Sequence, residues 1–213
     1  MLGWLKKKKV TPSIPARTNL EEWWLSTFTE TERDWMVGAY APMGIPVSDF
    51  SRSIPKHILV PSFYHLAIVA TWFSKPGYEH CALAFVQKAM DFYAGNMPIL
   101  DRHFGLYSCS QVFYRWRNVV SGALDKAIDA CERCVSFHED AAVAFMEKHN
   151  TMPMHPCFNR LRIIEEKRGN YDRALEICFT ASRAGWVDDW PRHIARIERK
   201  REKRLTASQP ITS

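Results

Sequence analysis

The sequence predicts an all-α protein built from stacked antiparallel helical hairpins, and three observations carry that expectation. First, the stretch His155–Arg183 reads as helix, tight turn, helix. Phe158, Leu161 and Ile164 precede the Gly169-Asn170 turn at helical spacing, and Tyr171, Ala174, Leu175 and Cys178 follow it. Gly169 supplies a left-handed C-cap, and Lys167 and Arg168 suit the negative end of the first helix. Second, the pattern recurs. Gly77, Gly122 and Gly169 fall in register at separations of 45 and 47 residues, with Ala82, Ala127 and Ala174 five residues past each glycine. Val86, Cys131 and Cys178 come next, then Ala89, Cys134 and Ala181. A fixed period of this size means hairpins that bury their apolar faces on one another. Third, only nine glycines and no long alternating runs argue against a β architecture, while 46% hydrophobic residues are ample for a continuous core.

Taken in order, residues 1–18 read as a basic, proline-containing arm, because Pro12 and Pro15 exclude a helix there. Its alternative reading is a weak anchor on an anionic lipid surface, which would need a second signal to hold. Asn19 caps a helix carrying Trp23, Trp24 and Leu25. Thr29 and Glu32 form a capping box for a second helix through Trp35, Met36 and Tyr40. These two helices are expected to cap the stack, their tryptophans belonging to the core rather than to a ligand cage. Residues 41–61 read as a proline-rich loop. Ser62 caps a helix, FYHLAIVATWF, that is apolar nearly all round and so is expected between neighbours. The second hairpin is taken to begin at Ser108. After the third, Asp188 or Asp189 caps a last helix with Pro191 in its first turn, whose Ile194 and Ile197 would cover the end of the stack. The domain spans 19–205, and the polar residues 206–213 read as a disordered tail.

The residues of 155–183 resemble the tetratricopeptide repeat. Its large first-helix positions fall on Phe158 and Leu161, its turn glycine on Gly169, its following tyrosine on Tyr171 and its small residues on Ala174 and Ala181. The resemblance extends over three hairpins, about 63–91, 108–136 and 155–183. Arg115 and Arg162 stand where the family has a small residue, Asn118 and Glu165 replace an aromatic, and the closing proline is absent. The period exceeds the family's ~34 residues by about a third, which implies extra loop or a short helix between hairpins. What the resemblance implies is a protein- or peptide-binding adaptor whose first helices line a groove. Carried over, that face holds Tyr64, Ala67 and Thr71, then Val112 and Trp116 with neighbouring Arg115, then Asn159, Ile163 and Glu166.

The net charge of +6 is concentrated at the ends. Lys6, Lys7, Lys8 and Lys9 form one patch. Residues 192–204 hold seven basic residues against two acids, among them Arg196, Arg199, Lys200, Arg201, Lys203 and Arg204. The body is close to neutral, so a second reading is a nucleic-acid-associated factor that contacts phosphates through these ends. Arg115, Trp116 and Arg117 are the one aromatic-basic cluster in the body, read either as a half-buried tryptophan flanked by arginines or as a clamp for a base or phosphopeptide. Among six cysteines, Cys131 and Cys134 with His138, His155 and Cys157 invite a zinc reading. Cys131 and Cys134 fall on small core positions of the repeat, so core cysteine is preferred, and no metal or cofactor is expected. No phosphate loop, HExxH or GxSxG motif is present, which leaves an enzyme with an unrecognised site as the third reading. No apolar run reaches bilayer-spanning length and no secretory signal is read at the start, so the expected compartment is the cytoplasm. Whether the chain self-associates is left open.

Overall fold

A computed structural model describes residues 19–40 and 58–207. The arm at 1–18, including Lys6–Lys9, most of the proline-rich loop and the last six residues lie outside the described residues. The described chain is all-α, with ten helices and no strand. None of these helices is long and apolar enough to cross a membrane.

Local chemistry sets the first helices. Asn19 accepts the Glu22 amide at 3.2 Å and starts α1 (Leu20–Thr27). Thr29 and Glu32 cap α2 (Glu30–Tyr40) reciprocally, at 3.3 and 2.8 Å, so two of its orphan donors are satisfied. Ser62 caps α3 (Phe63–Phe73), and α4 (Glu79–Met90) follows the positive-φ Gly77. Phe63, Leu66, Ala67, Val69, Ala70 and Phe73 of α3 are all buried, since the helix lies among α2, α4 and α5.

The next helix departs from expectation. It begins at Ile99 rather than Ser108, so α5 (Ile99–Arg115) runs for 17 residues. Pro98 presets the entry and Asp101 lies in the first turn. Mid-helix Gly105 disfavours this helix on propensity alone, but packing overrides it. A Cβ there would sit 2.7 Å from Cδ1 and 2.9 Å from Cζ of the buried Phe63 ring, so glycine is what lets α5 approach α3. Past the left-handed Gly122 come α6 (Ala123–Val135) and then α7 (His138–His149). The long spacing between hairpins is therefore absorbed in two ways, first by the lengthened α5 and then by the inserted α7.

His155 caps α8 (Pro156–Arg168), with Pro156 at its first position. Gly169 at φ 78° ends it, and the Asn170 amide reaches back to the Glu165 carbonyl at 2.9 Å. Then α9 (Tyr171–Arg183) folds back on α8 and ends in the same way at Gly185, the Trp186 amide bonding the Ala181 carbonyl at 3.1 Å. Asp189 accepts the Arg192 amide at 3.2 Å and starts α10 (Trp190–Ala207), whose Ile197 is fully buried.

Helices pack mainly on near neighbours. Helix α3 packs on α4 and α5; α5 on α6, α7 and α8; α8 on α6 and α9; and α9 on α10. One hydrophobic cluster runs through them from Leu20 to Ile197. Trp24 is fully buried, Trp23 half-buried, and Trp35 stacks on Tyr78 with ring centroids 3.6 Å apart. All six cysteines are buried and none is in a disulfide.

Candidate functional site

Three first helices, α3, α5 and α8, bring their ends to a shared cleft of about 310 Å³. Thr71, Ser74 and Lys75 line it from the α3 end, Gln111, Val112, Tyr114 and Arg115 from α5, and Arg160 from α8. The indole of Trp116 donates to Ser74 Oγ at 2.9 Å, which ties the end of α5 to the end of α3. Trp116 is thus a buried wall rather than an open stacking platform. Arg160 donates to Ser110 Oγ and lies 5.4 Å from the ring centroids of both Tyr107 and Tyr114. Arg117 stands 4.1 Å from the Tyr114 ring and bonds the Tyr114 carbonyl at 2.7 Å.

No acid lines this cleft, and among the described residues Lys75, Arg115 and Arg160 have no acidic partner. Three cations from three elements around hydroxyls make a region of positive potential suited to an anionic group.

The cleft includes Thr71, Val112 and Arg115 of the groove read from the sequence, and it adds Lys75, Gln111 and Arg160. Tyr64 packs against Phe104, with centroids 6.0 Å apart, and Ala67 is buried. Ile163 is half-buried. The remaining α8 positions turn elsewhere. Asn159 accepts from Arg162, and Glu166 accepts from Arg162 at 3.2 Å, Arg196 at 2.8 Å and Lys200 at 2.7 Å. Glu166 therefore clasps α10 instead of facing the cleft.

That clasp also changes the meaning of the basic run. Arg196 and Lys200 bind Glu166, Arg201 binds Asp172 at 2.9 Å, and Arg204 donates to the Gly169 carbonyl at 2.8 Å. Only Arg199 and Lys203 of the six α10 candidates lack such a bond to the body among the described residues. Burial pushes the Glu166 carboxyl up, but hydrogen bonds and charge from Arg196 and Lys200 outweigh it and hold the group down at about 2, against an ordinary 4.5. Because the folded value lies below the unfolded one, the unfolded chain takes up the proton first as pH falls. The clasp's contribution is complete above pH 4.5 and is lost between there and pH 2. Denaturant midpoints measured across this range should fall with pH in the native chain, and Glu166→Gln should flatten that dependence.

A second constellation is wholly internal. His103 of α5, Cys134 of α6 and His155 at the start of α8 are buried, and one ligating atom from each lies within 4.8 Å of the others. His103 Nδ1 is 3.6 Å from Cys134 Sγ. Trp186 stacks parallel to His103 and edge-on to His155 at 4.6 Å. Burial pushes His103 down to about 4, and burial foremost, with the neighbouring His103 and His138, pushes His155 down to about 2. Beside them, Cys157 lies 4.0 Å from Ser110 Oγ, and burial raises its thiol well above the ordinary range. The sequence singled out Cys134, His155 and Cys157 but not His103, a lone histidine 31 residues before Cys134, ahead of where α5 was expected to start.

In comparisons with known proteins, no family model, no curated protein and no solved structure matches this chain.

Proposed function

We propose that this protein is a non-enzymatic adaptor with a tetratricopeptide-like arrangement of helical hairpins, which receives an acidic segment of a protein partner along α3, α5 and α8. The observation that carries this reading is the acid-free cleft holding Lys75, Arg115 and Arg160. The glycine-turned pairs α3–α4, α5–α6 and α8–α9, with α3 on α5 and α5 on α8, support the architecture. In such a stack a row of first helices forms one continuous face. A peptide carboxylate there would meet guanidinium groups in a partly desolvated cleft, where paired hydrogen bonds are strongest.

The second reading, phosphate contact through the basic ends, retains Arg192, Arg199, Lys203 and the four N-terminal lysines. It is the weaker one because Arg196, Lys200, Arg201 and Arg204 are already bonded to α8, the turn after it and α9.

The test is fluorescence anisotropy with a labelled Glu/Asp-rich peptide, its Gln/Asn counterpart and a single-stranded oligonucleotide. The acidic peptide should bind the native chain. The Arg115→Glu/Arg160→Glu variant should lose at least about tenfold in affinity, or roughly 1.4 kcal/mol. The Arg199→Glu/Lys203→Glu variant should bind like the native chain. Equal affinity for both peptides would overturn the acidic-segment reading. Strong oligonucleotide binding abolished by the α10 variant would establish the second reading in its place.

A further inference from the structure

We infer that His103, Cys134 and His155, completed by Cys157, form a buried site for one zinc-class ion that fastens α5, α6 and α8 together. The donor set is the first argument. Two imidazoles and two thiols with no carboxylate suit a borderline-soft transition metal and not magnesium or calcium, which take oxygen ligands. Two cysteines with two histidines is also a full set of four for a closed tetrahedral zinc site.

Geometry is the second argument. With zinc–sulfur at about 2.3 Å and zinc–nitrogen at about 2.0–2.1 Å, the sulfur–nitrogen edge of a tetrahedron is about 3.6 Å. The Cys134 Sγ to His103 Nδ1 separation is 3.6 Å. The atoms of the triad lie within 4.8 Å of one another, so the other edges close to tetrahedral values with side-chain movements of up to about 1.5 Å. Cys157, two residues beyond His155 and buried, lies outside that 4.8 Å group and would move inward to supply the fourth donor.

The third argument is an unsatisfied atom. His155 is 0% exposed, yet its Nε2 has no hydrogen-bond partner. Its Nδ1 has only a long contact, 3.4 Å, from the Phe158 amide. Packing against Trp186 and Phe158 does not call for a histidine, since phenylalanine fills such a place without orphaning a polar group. Two buried histidines meeting at a cysteine, each on a different element, are explained together by a shared ion. Whichever ring nitrogen of His155 binds it, the Phe158 contact is given up. Ligation at Nδ1 takes that lone pair, and ligation at Nε2 moves the ring proton to Nδ1. Because the site is enclosed, the ion would be captured as the chain folds.

The experiment uses the full chain without an affinity tag. Metal content is measured after purification. The chain is then unfolded with chelator and refolded alone, with zinc, or with cobalt(II). Expected are about one zinc per chain, a thiolate-to-cobalt charge-transfer band with tetrahedral ligand-field absorption, and a higher melting temperature on refolding with zinc. Histidine nitrogen spectra should show His103 and His155 each shifting at one ring nitrogen. Cys134→Ser and His103→Phe should each lower metal occupancy at least tenfold, and Cys178→Ser, a buried cysteine on α9, should not. If the native chain carries no metal and refolds identically with and without zinc or cobalt, the cluster is packing alone and the inference falls. It also falls if cobalt binds without the thiolate band, or if the Cys134 and His103 variants keep the ion. The native-chain measurements decide the matter even where a variant fails to fold.

Discussion

Glu166→Ala is expected to destabilise the chain by about 3–5 kcal/mol, the range for removing one partner of a buried ion pair. The three cations around this carboxylate do not share that loss equally. Arg196 and Lys200 are 37% and 50% exposed, so each pair alone is worth about 0–1 kcal/mol after solvent screening and side-chain ordering. Arg162 is 4% exposed and the Glu166 side chain 8%, so truncation strands a buried guanidinium whose remaining polar partner is Asn159. The uncompensated Arg162 dominates. Glu166→Gln, which keeps an acceptor oxygen and the packing, should cost less than alanine. Arg162→Met in the Glu166→Ala background should recover part of the loss by removing the stranded charge. Urea unfolding at pH 7 measures all three. Hydrogen exchange should show α10 opening first, because the clasp from Arg196 and Lys200 goes with the carboxylate. A loss no larger than a surface pair's would show that Arg162 reaches water or another acceptor when its partner is removed.

The parts of the fold legible in the sequence were those encoded locally. The Thr29–Glu32 capping box, the Ser62 cap and the left-handed glycines at 77, 122 and 169 each need a residue type that only a few positions tolerate, so they mark helix ends without tertiary information. The start of α5 did not show because its first half carries Asp101, Arg102 and His103 and then Gly105, a poor helix former. What makes that glycine right is the Phe63 ring, 42 residues away in the chain. The setting of α8 about its axis was hidden for a related reason. Asn159, Arg160, Arg162, Glu165 and Glu166 leave it polar on several sides, so apolar spacing does not say which polar residue faces what. Register with the tetratricopeptide repeat put Glu166 in the groove, whereas the structure turns it to α10 and turns Arg160 to the cleft. Likewise the basic run looks unpaired in one dimension, since its partners Glu166 and Asp172 lie about 30 residues earlier, at separations that the pairs themselves define.

Phe85→Ala should cost about 3–5 kcal/mol, the range for truncating a fully buried aromatic whose site cannot collapse. Its ring lies 5.0 Å from both Trp23 and Phe73, 5.7 Å from Phe28 and 6.1 Å from Trp24, measured between centroids. Three of those four partners belong to α1 or the residue following it, so Phe85 is the rivet between the N-terminal helices and the α3–α4 pair. Edge-to-face and offset pairs of this kind contribute about 0.5–1.5 kcal/mol each beyond area burial, which places the substitution toward the upper end. Where the loss appears tests how the helices cooperate. If stability is a sum of nearest-neighbour interfaces, as in a helical-repeat array, hydrogen exchange in residues 20–40 should accelerate strongly while α8 and α9, two interfaces away, keep their protection. If protection falls equally from α1 to α10, the connected core of Leu20 to Ile197 unfolds as one unit, and the array picture fails for this chain. The packing of α5 on α3, α6, α7 and α8 makes α5 the element that decides between these outcomes. Since Phe85 lies on α4, beyond α3 and α5 from the C-terminal helices, graded loss with its sharpest step at α5 is the expected result.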